Sequence, residues 1–267
     1  MTRNAQSRIR VGVGGWTYEP WRGAFYPAGL PHAKELEYAG AKLTSIEING
    51  TYYGSQKPES FARWHDETPK DFVFAVKGPR FATNRRILAE AGPSIERFFR
   101  SGVTQLKAKL GPVNWQFATS KRFDPGDFAA FLKLLPSSAD GLAIRHAVEV
   151  RHDSFRTAEF VALARAYGVA VVIAADGPYP QIGDVTAPFV YSRIMGTTEG
   201  EDLGYPGQAL SQWAARAKTW AKGGVPSDVK LVGTPEAAKD RDVFLYVISG
   251  FKQRNPAAAM ALIERIG

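Results

Sequence analysis

Short apolar runs alternate along this chain with longer segments in which hydrophobic positions recur at helical spacing. Eight of the apolar runs have the length of a strand, and they cover residues 9–15, 45–49, 72–77, 113–117, 147–151, 169–175, 189–194 and 243–249. Strands that alternate with helical patterns indicate βαβ units and a parallel sheet. With eight candidates, closure into a barrel is favoured over an open sheet. The sequence therefore predicts an α/β fold, a TIM-type (β/α)8 barrel.

The segments between the strands carry helix start and stop signals. Asp124 and Asn255 each precede a proline, which predicts capping side chains at two helix N-termini. Gly40 and Gly168 each follow a helical stretch, where a left-handed glycine would end the helix. A further helix, packed on the barrel by one apolar stripe, is predicted from Leu210, Trp213, Ala217 and Trp220.

Two connections fit the repeating pattern poorly. Residues 175–189 are rich in proline and glycine, which leaves little room for a helix, and residues 195–242 are too long for one ordinary crossover. The barrel is therefore expected to be irregular after strand six and before strand eight. No linker, repeat or low-complexity tract divides the chain, and a length of 267 residues is common for an α/β barrel. Residues 1–267 are predicted to form a single domain.

Polar side chains occupy one face of several predicted strands, and apolar side chains occupy the other. Glu47 and Asn49 alternate with isoleucines, while Glu149 and Arg151 alternate with valines. The same separation holds for Asn114, Gln116, Tyr191 and Arg193. Strand side chains alternate between faces, and barrel enzymes place their sites at the carboxyl ends of the strands. We therefore predict a charged pocket at those ends.

The residue types in this pocket suggest roles. Glu47 and Glu149 are the predicted acid and base, because two carboxylates in different surroundings can divide those roles. Lys77 is the third predicted catalytic residue, and Lys77, Arg151 and Arg193 are suited to hold an anionic group. The remaining predicted substrate-binding residues of the pocket are Asn49, Gln116, Asp176 and Tyr191. The structural alternative is an internal salt-bridge network among the same carboxylates and cations.

The first predicted strand ends in glycines followed by aromatic residues, GVGGWTY at residues 12–18. Glycine lets a ligand or a neighbouring backbone come close. An aromatic face suits a base or a sugar, so Trp16 and Tyr18 are predicted to bind substrate. Packing of these rings within their own loop is an equal alternative. The run fails the dinucleotide fingerprint, because Thr17 stands where a third glycine is needed.

The charge of the chain is uneven. The formal net charge is +8, and residues 77–109 contain eight basic and two acidic residues. A positive field of this kind attracts phosphates, nucleic acids or other anions, although a solvated basic helix and loop is the plainer interpretation. The predicted partner is therefore an anionic small molecule or a nucleic acid.

Composition excludes several kinds of chemistry. There are no cysteines, which excludes disulfides, thiolate metal sites and cysteine nucleophiles. The four histidines lack metal-site spacing, so neither a histidine-rich metal centre nor a cofactor is predicted, although a single divalent cation would suit Glu47, Glu149 or Asp176. Neither a phosphate-binding loop nor a nucleophile elbow is present in the sequence. The polar start and the lack of a long apolar segment predict a cytoplasmic protein without a membrane partner.

Six stretches of the sequence resemble the YecE-like family, catalogued as domain of unknown function 72. They are GVGGWTYEPWRGAFYP (residues 12–27), EINGTYY (47–53), FVFAVKGPRFAT (72–83), LGPVNWQF (110–117), VEVRHDSF (148–155) and YSRIMG (191–196). The resemblance implies a TIM barrel whose activity has not been settled. It also implies that the family's polar positions are Glu47, Asn49, Lys77, Gln116, Glu149, Arg151, Tyr191 and Arg193. The chain departs from the family pattern at Met195 and at residues 247–250, which implies a divergent member with an altered substrate or a lost activity.

Three functions stay open at this point. The first is an enzyme of hydrolase or lyase type that acts on a phosphate-bearing small molecule or a nucleic acid. The second is a carbohydrate-active barrel that uses Glu47 and Glu149 as paired carboxylates, with Trp16 and Tyr18 as a sugar platform. The third is a non-enzymatic ligand-binding or scaffold protein.

Overall fold

A barrel of parallel strands forms the centre of the computed structural model, which describes residues 8–235 and 239–267. The strands in chain order are β1 (Ile9–Gly14), β2 (Ser45–Ile48), β3 (Val73–Lys77), β4 (Leu110–Gln116), β5 (Ser138–Ala139), β6 (Leu142–Ala143), β7 (His146–Glu149), β8 (Ala170–Val171), β9 (Ile173–Ala175), β10 (Phe189–Ile194) and β11 (Asp242–Val247). The main sheet has the order β8-β7-β4-β3-β2-β1-β11-β10-β9, while β5 and β6 form a separate antiparallel hairpin.

The two ends of the main sheet meet in a single strand that is broken at Val172. Its first half, β8, pairs with β7, and its second half, β9, pairs with β10. The Val172 N–H donates to the Val148 carbonyl at 2.9 Å, which keeps the broken strand in the barrel wall. Because the two halves occupy one position, the barrel has eight strand positions. The predicted TIM-type barrel is confirmed, with its sixth strand interrupted.

α-Helices cover the outside of the barrel, apart from two four-residue helices that follow β2 and β3 at the mouth of the barrel. Among the described residues they are α1 (Glu35–Lys42), α2 (Gly50–Tyr53), α3 (Pro58–Asp66), α4 (Arg80–Thr83), α5 (Gly92–Arg100), α6 (Pro125–Lys133), α7 (Ala158–Ala166), α8 (Gly207–Ala221) and α9 (Asn255–Ile266). Residues 176–188 are all described and contain no helix, as expected for the irregular connection after strand six. The long connection before the last strand contains α8 with irregular flanks, and its residues 236–238, like residues 1–7 of the polar start, lie outside the described residues.

The helix signals gave two correct and two wrong predictions. The Asp124 side chain caps α6 by accepting from the Asp127 N–H at 2.9 Å, and Gly168 follows α7 with a φ of 63°. Asn255 lies inside α9 instead of capping it, because its side chain accepts from the Thr197 hydroxyl at 2.8 Å. Gly40 lies within α1, packed against the segment that leads into β3. The predicted apolar stripe of α8 is buried as expected.

Apolar side chains fill two separate regions. The larger one lies between the sheet and the helices and takes in the outward residues of the strands. The smaller one lies inside the barrel, where alanines of β3, β7 and β8 share a cluster with aromatic rings of β10 and β11. Gly12 allows β1 to approach β2 closely, since a Cβ there would lie 1.8 Å from the Ser45 carbonyl oxygen. The glycine prediction is thus confirmed for a neighbouring backbone.

No helix of the described residues is long and apolar enough to cross a membrane. The longest, α8, has 15 residues and a polar outer face.

Candidate functional site

Four strands bring polar side chains together inside the barrel. Glu47 of β2, Asn114 of β4, Glu149 of β7 and Arg193 of β10 are buried, with at most 3% of each exposed. Their neighbours along the strands, such as Ile46 on β2, point outward into the apolar layer below the helices. Alternation of side chains in a closed parallel barrel therefore forces these groups to converge. The predicted convergence of the polar face is what the structure shows.

Arg193 joins the two carboxylates. Its Nη1 donates to Glu149 Oε2 at 2.6 Å, and its Nη2 donates to Glu47 Oε1 at 3.1 Å. Asn114 Nδ2 lies 3.4 Å from Glu47 and 3.3 Å from Glu149, and the Tyr191 hydroxyl donates to Glu47 Oε2 at 2.6 Å. One guanidinium thus bridges two carboxylates that lie 102 positions apart in the sequence. The salt-bridge network that we weighed as the structural alternative is present.

Arg151 extends this network toward solvent. Its Nε and Nη2 donate to Glu149 Oε1 at 2.9 and 2.8 Å, and its Nη1 donates to the Tyr179 hydroxyl at 3.2 Å. The guanidinium also lies over the Tyr179 ring, 4.2 Å from its centroid. About 17% of the Arg151 side chain is exposed, whereas Glu149 is fully buried. Arg151 is therefore the cation through which an outside ligand can contact the network.

The paired cations control the ionisation of Glu149. Burial alone would raise the pKa of this carboxyl, but Arg193, Arg151 and Lys77 together outweigh it and lower the pKa to about 2. Burial opposes the charge of Arg193 as well, yet its two carboxylate partners raise its pKa above the ordinary value. Glu149 is thus ionised at neutral pH and has no proton to donate.

Lys77 is a buried cation of the site whose hold on its proton is weakened. Its Nζ donates to Gln116 Oε1, a neutral acceptor, and lies 4.2 Å from the centroid of the Tyr52 ring. Burial is the main cause that lowers its pKa to about 8, and Arg193 adds to this effect while Glu47 opposes it. Only 5% of Lys77 is exposed. An amine of this kind exchanges protons near neutral pH.

Two buried polar atoms of the network lack a hydrogen-bond partner among the described residues. They are Asn114 Oδ1, an acceptor, and Arg193 Nε, a donor. Leaving such groups unpaired costs about 1–3 kcal/mol each. The hydrogen-bonding capacity of the network is therefore not fully used by the side chains that form it.

Three predicted site residues lie apart from the network. Asp176 is exposed, and its Oδ2 accepts from Trp213 Nε1 at 3.0 Å and from the Tyr205 hydroxyl at 3.2 Å. Trp16 packs edge-on against Trp64 of α3 at 5.1 Å, so its ring has a structural partner, although not within its own loop.

Tyr18 is the third predicted site residue that lies apart from the network. Its ring packs on Trp21 at 5.5 Å and lies under the Lys252 amine, 4.1 Å from the ring centroid. Asn49 stands at the mouth, half-buried at the start of α2.

Sequence reasoning missed two aromatic partners of the site. Tyr52 contacts Lys77, and its signal was present in the EINGTYY stretch (residues 47–53), where it follows the polar end of β2. Tyr179 contacts Arg151, and it lies in the irregular connection 176–188, where no periodicity marks it. Asn114 was placed on the polar face by alternation, although its contact with both carboxylates depends on barrel closure.

The described residues contain no group of three or more histidine, cysteine, aspartate or glutamate side chains arranged to hold a metal ion. Arg193 lies between Glu47 and Glu149, where it already balances the charge that a divalent cation would balance. The Asp176 carboxylate, the third candidate ligand, takes its hydrogen bonds from α8 and the loop after β10. The donor set therefore fits a divalent cation poorly.

The basic stretch 77–109 is not one surface. Lys77 lies inside the barrel, whereas Lys109 is buried at the opposite end, where its amine donates to the carbonyls of His65 and Thr68. Arg100 pairs with Glu96 on the outer face of α5. Arg80 and Arg86 are exposed in the segment that follows β3. Only part of the predicted positive field can therefore act at the mouth.

The rim of the mouth is polarised by its loops. The loops after β3, β4 and β7 are neighbours, since β4 pairs with both other strands. Residues 78–91, 117–124 and 150–157 carry seven basic and three acidic side chains, whereas residues 195–206, after β10, carry three acidic and no basic ones. One side of the rim is therefore net positive and the loop after β10 is net negative, although its Asp202 pairs with Arg254.

A model of the family described as "Protein of unknown function DUF72" matches residues 10–267. The chain is 27% identical over 150 residues to the protein named "UPF0759 protein YecE" of Escherichia coli strain K12, a match that covers 55% of this chain and 50% of that protein. The chain thus spans about half the length of the curated relatives it matches.

Solved structures of the same fold cover nearly the whole chain. A DUF72 family protein from Thermotoga maritima superposes with a TM-score of 0.72 at 22% identity, covering 97% of this chain and 98% of that one. One from Enterococcus faecalis gives a TM-score of 0.66 at 15% identity, covering 97% and 94%. A structure named SacUVDE gives 0.55 at 8% identity, covering 96% and 97%. At these identities the likeness shows the fold.

Proposed function

The chain belongs to the DUF72 family, and from the charges at its barrel mouth we propose that it binds a phosphate-bearing ligand there, with Lys77 as the proton-transferring group. The observation that carries this proposal is the basic side of the rim, from which Arg151 leads into the buried network. Two nitrogens of Arg151 are anchored on Glu149, so the guanidinium is held in a fixed orientation. An oriented guanidinium at a positive rim favours phosphate, because its planar donors match phosphate oxygens.

Lys77 supports a reaction of hydrolase or lyase type. Such reactions need a group that takes or gives a proton near neutral pH. Lys77 meets this need, because its pKa is lowered to about 8 and its amine is bound by the neutral Gln116. Glu47 and Glu149 act as positioning residues in this proposal, since both are fully buried and held by Arg193.

The carbohydrate alternative is less well supported. Glu47 and Glu149 are close enough to accept from the same Asn114 nitrogen, so their separation suits a pair of glycosidase carboxyls. That reaction also needs one carboxyl to be protonated, and the pKa of Glu149 is lowered to about 2 by its cationic neighbours. Of the rings proposed as a sugar platform, Trp16 packs against Trp64 of α3, and Tyr18 packs against Trp21 of its own loop.

A non-enzymatic binding protein is the second candidate function. The observation in its favour is the complete burial of both carboxylates in ion pairs, which is also what a purely structural network would show. In that case Arg151 and the basic rim bind the ligand, and the ligand is released chemically unchanged.

Ligand-dependent thermal unfolding tests the binding. The probes are inorganic phosphate, nucleoside monophosphates and sugar phosphates, at 50 and 200 mM salt. We expect at least one to raise the Tm of the wild type by several degrees, because a ligand at a hundredfold excess over its Kd stabilises by about 2.7 kcal/mol. Arg151→Gln should lose most of the shift, and the matched control Arg63→Gln, on the exposed face of α3, should keep it.

The outcomes separate the candidates. Equal shifts in Arg151→Gln and Arg63→Gln would place the ligand elsewhere, and no shift with any phosphate compound would remove the proposal. Each ligand that shifts the Tm is then incubated with wild type and with Lys77→Met, and its conversion is followed by mass spectrometry. Conversion by the wild type alone supports the enzyme, and binding without conversion supports the non-enzymatic candidate.

A further inference from the structure

Two aromatic rings stand out of the surface beside the mouth. Tyr53 is 65% exposed at the end of α2, and Phe81 is 60% exposed in α4. The Arg80 guanidinium lies beside both rings, 5.8 Å from the Tyr53 centroid and 5.6 Å from the Phe81 centroid. The two rings follow β2 and β3, which are neighbouring strands, so they belong to one side of the rim. A contiguous exposed apolar patch marks an interaction site, and Arg80 lies beside both of these rings and joins them into one patch.

The exposed rings are connected to the buried network by direct contacts. Tyr53 packs edge-on against Tyr52 at 5.1 Å, and Tyr52 is the ring that lies 4.2 Å from the Lys77 amine. A continuous path of aromatic faces thus runs from the rim to Lys77. A ligand that stacked on Tyr53 would place its adjoining groups at the mouth.

A small pocket of about 100 Å³ opens beside Phe81. Its lining combines the Phe81 ring with side chains that donate and accept hydrogen bonds, namely Gln56, Ser94 and Arg97. Side chains of these types recognise the edges of nucleobases. The pocket therefore offers polar recognition next to a stacking surface.

We propose that Tyr53 and Phe81 stack unpaired bases of a single-stranded nucleic acid whose phosphates follow the basic side of the rim. This inference rests on the proposed function and names the ligand class of the same site. Stacked aromatic rings combined with a cationic groove are the means by which proteins bind single strands. The exposed cations next to the rings are Arg80, which lies beside both, and Arg97, which lines the Phe81 pocket; they complement a polyanion and would disfavour an apolar protein partner.

Fluorescence anisotropy distinguishes bases from phosphates. The probes are a labelled single-stranded DNA 12-mer of mixed sequence, a 12-mer of the same backbone in which every position is abasic, and a 12-base-pair duplex. We expect the wild type to bind the base-containing strand at least about tenfold more tightly than the abasic strand. The double variant Tyr53→Ser/Phe81→Ser should lose this preference while it keeps the affinity for the abasic strand. The control Tyr167→Ser, an exposed ring after α7, should behave as wild type.

Each outcome has a distinct meaning. Equal affinity of the wild type for the base-containing and abasic strands overturns the stacking proposal and leaves the phosphate proposal standing. A double variant that keeps the preference also overturns the stacking proposal. Binding of the duplex as tight as the single strand would show that paired bases suffice, which contradicts stacking by these rings. No binding of any strand at 50 mM salt, together with no Tm shift by phosphate compounds, overturns both proposals.

Discussion

The interior of the barrel is divided into two regions that differ in how they hold the strands together. Toward the amino ends of the strands it is apolar, and small side chains face large ones: Ala75, Ala147 and Ala170 pack with Phe189, Phe244 and Tyr246. Toward the carboxyl ends it is charged, and Glu47, Glu149, Arg151 and Arg193 are joined by ion pairs. Tyr191 belongs to both, since its ring lies 5.2 Å from that of Tyr246 and its hydroxyl donates to Glu47.

The two regions respond differently to the loss of one member. In the apolar region each residue makes many weak contacts, so a truncation costs roughly in proportion to the volume removed. In the charged region a few contacts hold groups that are expensive to bury, so the loss of one partner leaves an uncompensated charge. Replacing the whole set by neutral groups can be nearly neutral in stability. The charged region therefore adds little net stability over a neutral set of similar size.

The largest effect is expected for Arg193→Met. This substitution leaves Glu47 and Glu149 without their shared cation, and breaking a buried pair in this way costs about 3–5 kcal/mol. Urea denaturation at pH 7 should show the loss in the free energy of unfolding. The loss should shrink as the pH falls below the ordinary pKa of a carboxyl, because protonated carboxyls no longer need a cation.

The matched control for this substitution neutralises both carboxylates together with Arg193. In Glu47→Gln/Glu149→Gln/Arg193→Met no carboxylate remains unpaired, so we expect most of the lost stability to return while the phosphate-dependent Tm shift stays reduced. The triple variant also keeps the test open where Arg193→Met alone fails to fold. A single variant as stable as the wild type at pH 7 would show that the ion pairs are not needed to bury the carboxylates.

A loss of similar size, but of different origin, is expected for Phe244→Ala in the apolar region. Phe244 is 1% exposed and its ring centroid lies 6.1 Å from that of Phe189, and truncation of a buried phenylalanine costs about 3–5 kcal/mol. In contrast to Arg193→Met, this loss should be the same at pH 4 and pH 7, and the Tm shift produced by phosphate compounds should be retained. Phe244→Leu, which preserves more volume, should cost less than about 1.5 kcal/mol. A loss that depended strongly on pH would mean that the two regions are coupled.

Much of the fold was predictable because its signals are local. Alternation along β2 and β7 placed Glu47 and Glu149 inside the barrel, and the Asp124 cap was predicted from two residues. The break at Val172 was not predictable from the sequence. It arises because β8 pairs with β7 while β9 pairs with β10, and this pairing depends on how the barrel closes. The predicted cap at Asn255 was wrong for a similar reason, since the Asn255 side chain accepts a hydrogen bond from Thr197, 58 positions away.

The polar face inside the barrel was predictable from the sequence, but the partners and the ionisation of its side chains were not. The sequence assigns Glu149 as an acid or base because carboxylates often have that role, yet its ionisation depends on Arg193, 44 positions further along the chain. Lys77 was expected as a cation, and it is burial in the closed barrel that lowers its pKa to about 8. Tyr179 has no sequence signal, because residues 176–188 follow neither the strand nor the helix period. The local sequence pattern thus predicts on which face of a strand a side chain lies, whereas its contacts depend on how the barrel closes.

The smallest effect separates Lys77 from the ion pairs around it. The pKa of Lys77 is lowered from 10.5 to about 8 in the folded protein, chiefly by burial. Between these values the unfolded chain holds more protons than the folded one, so folding stability rises with pH across this window. We expect the wild type to gain about 2 kcal/mol relative to Lys77→Met between pH 7.5 and 9.5, at about 1.4 kcal/mol for each pH unit of full difference.

The comparison between variants removes the contribution of other titrating groups, which is common to both proteins. Lys70→Met serves as the control, because Lys70 is exposed and its removal should not change the pH dependence of the free energy of unfolding. A constant difference between wild type and Lys77→Met from pH 7.5 to 9.5 would show that Lys77 keeps an ordinary affinity for its proton. The charged region would then contain only groups whose charge does not change near neutral pH. Proton transfer by Lys77 would lose its support, and the non-enzymatic candidate would be favoured. A rising difference instead marks Lys77 as the group in this region that gives up a proton near neutral pH.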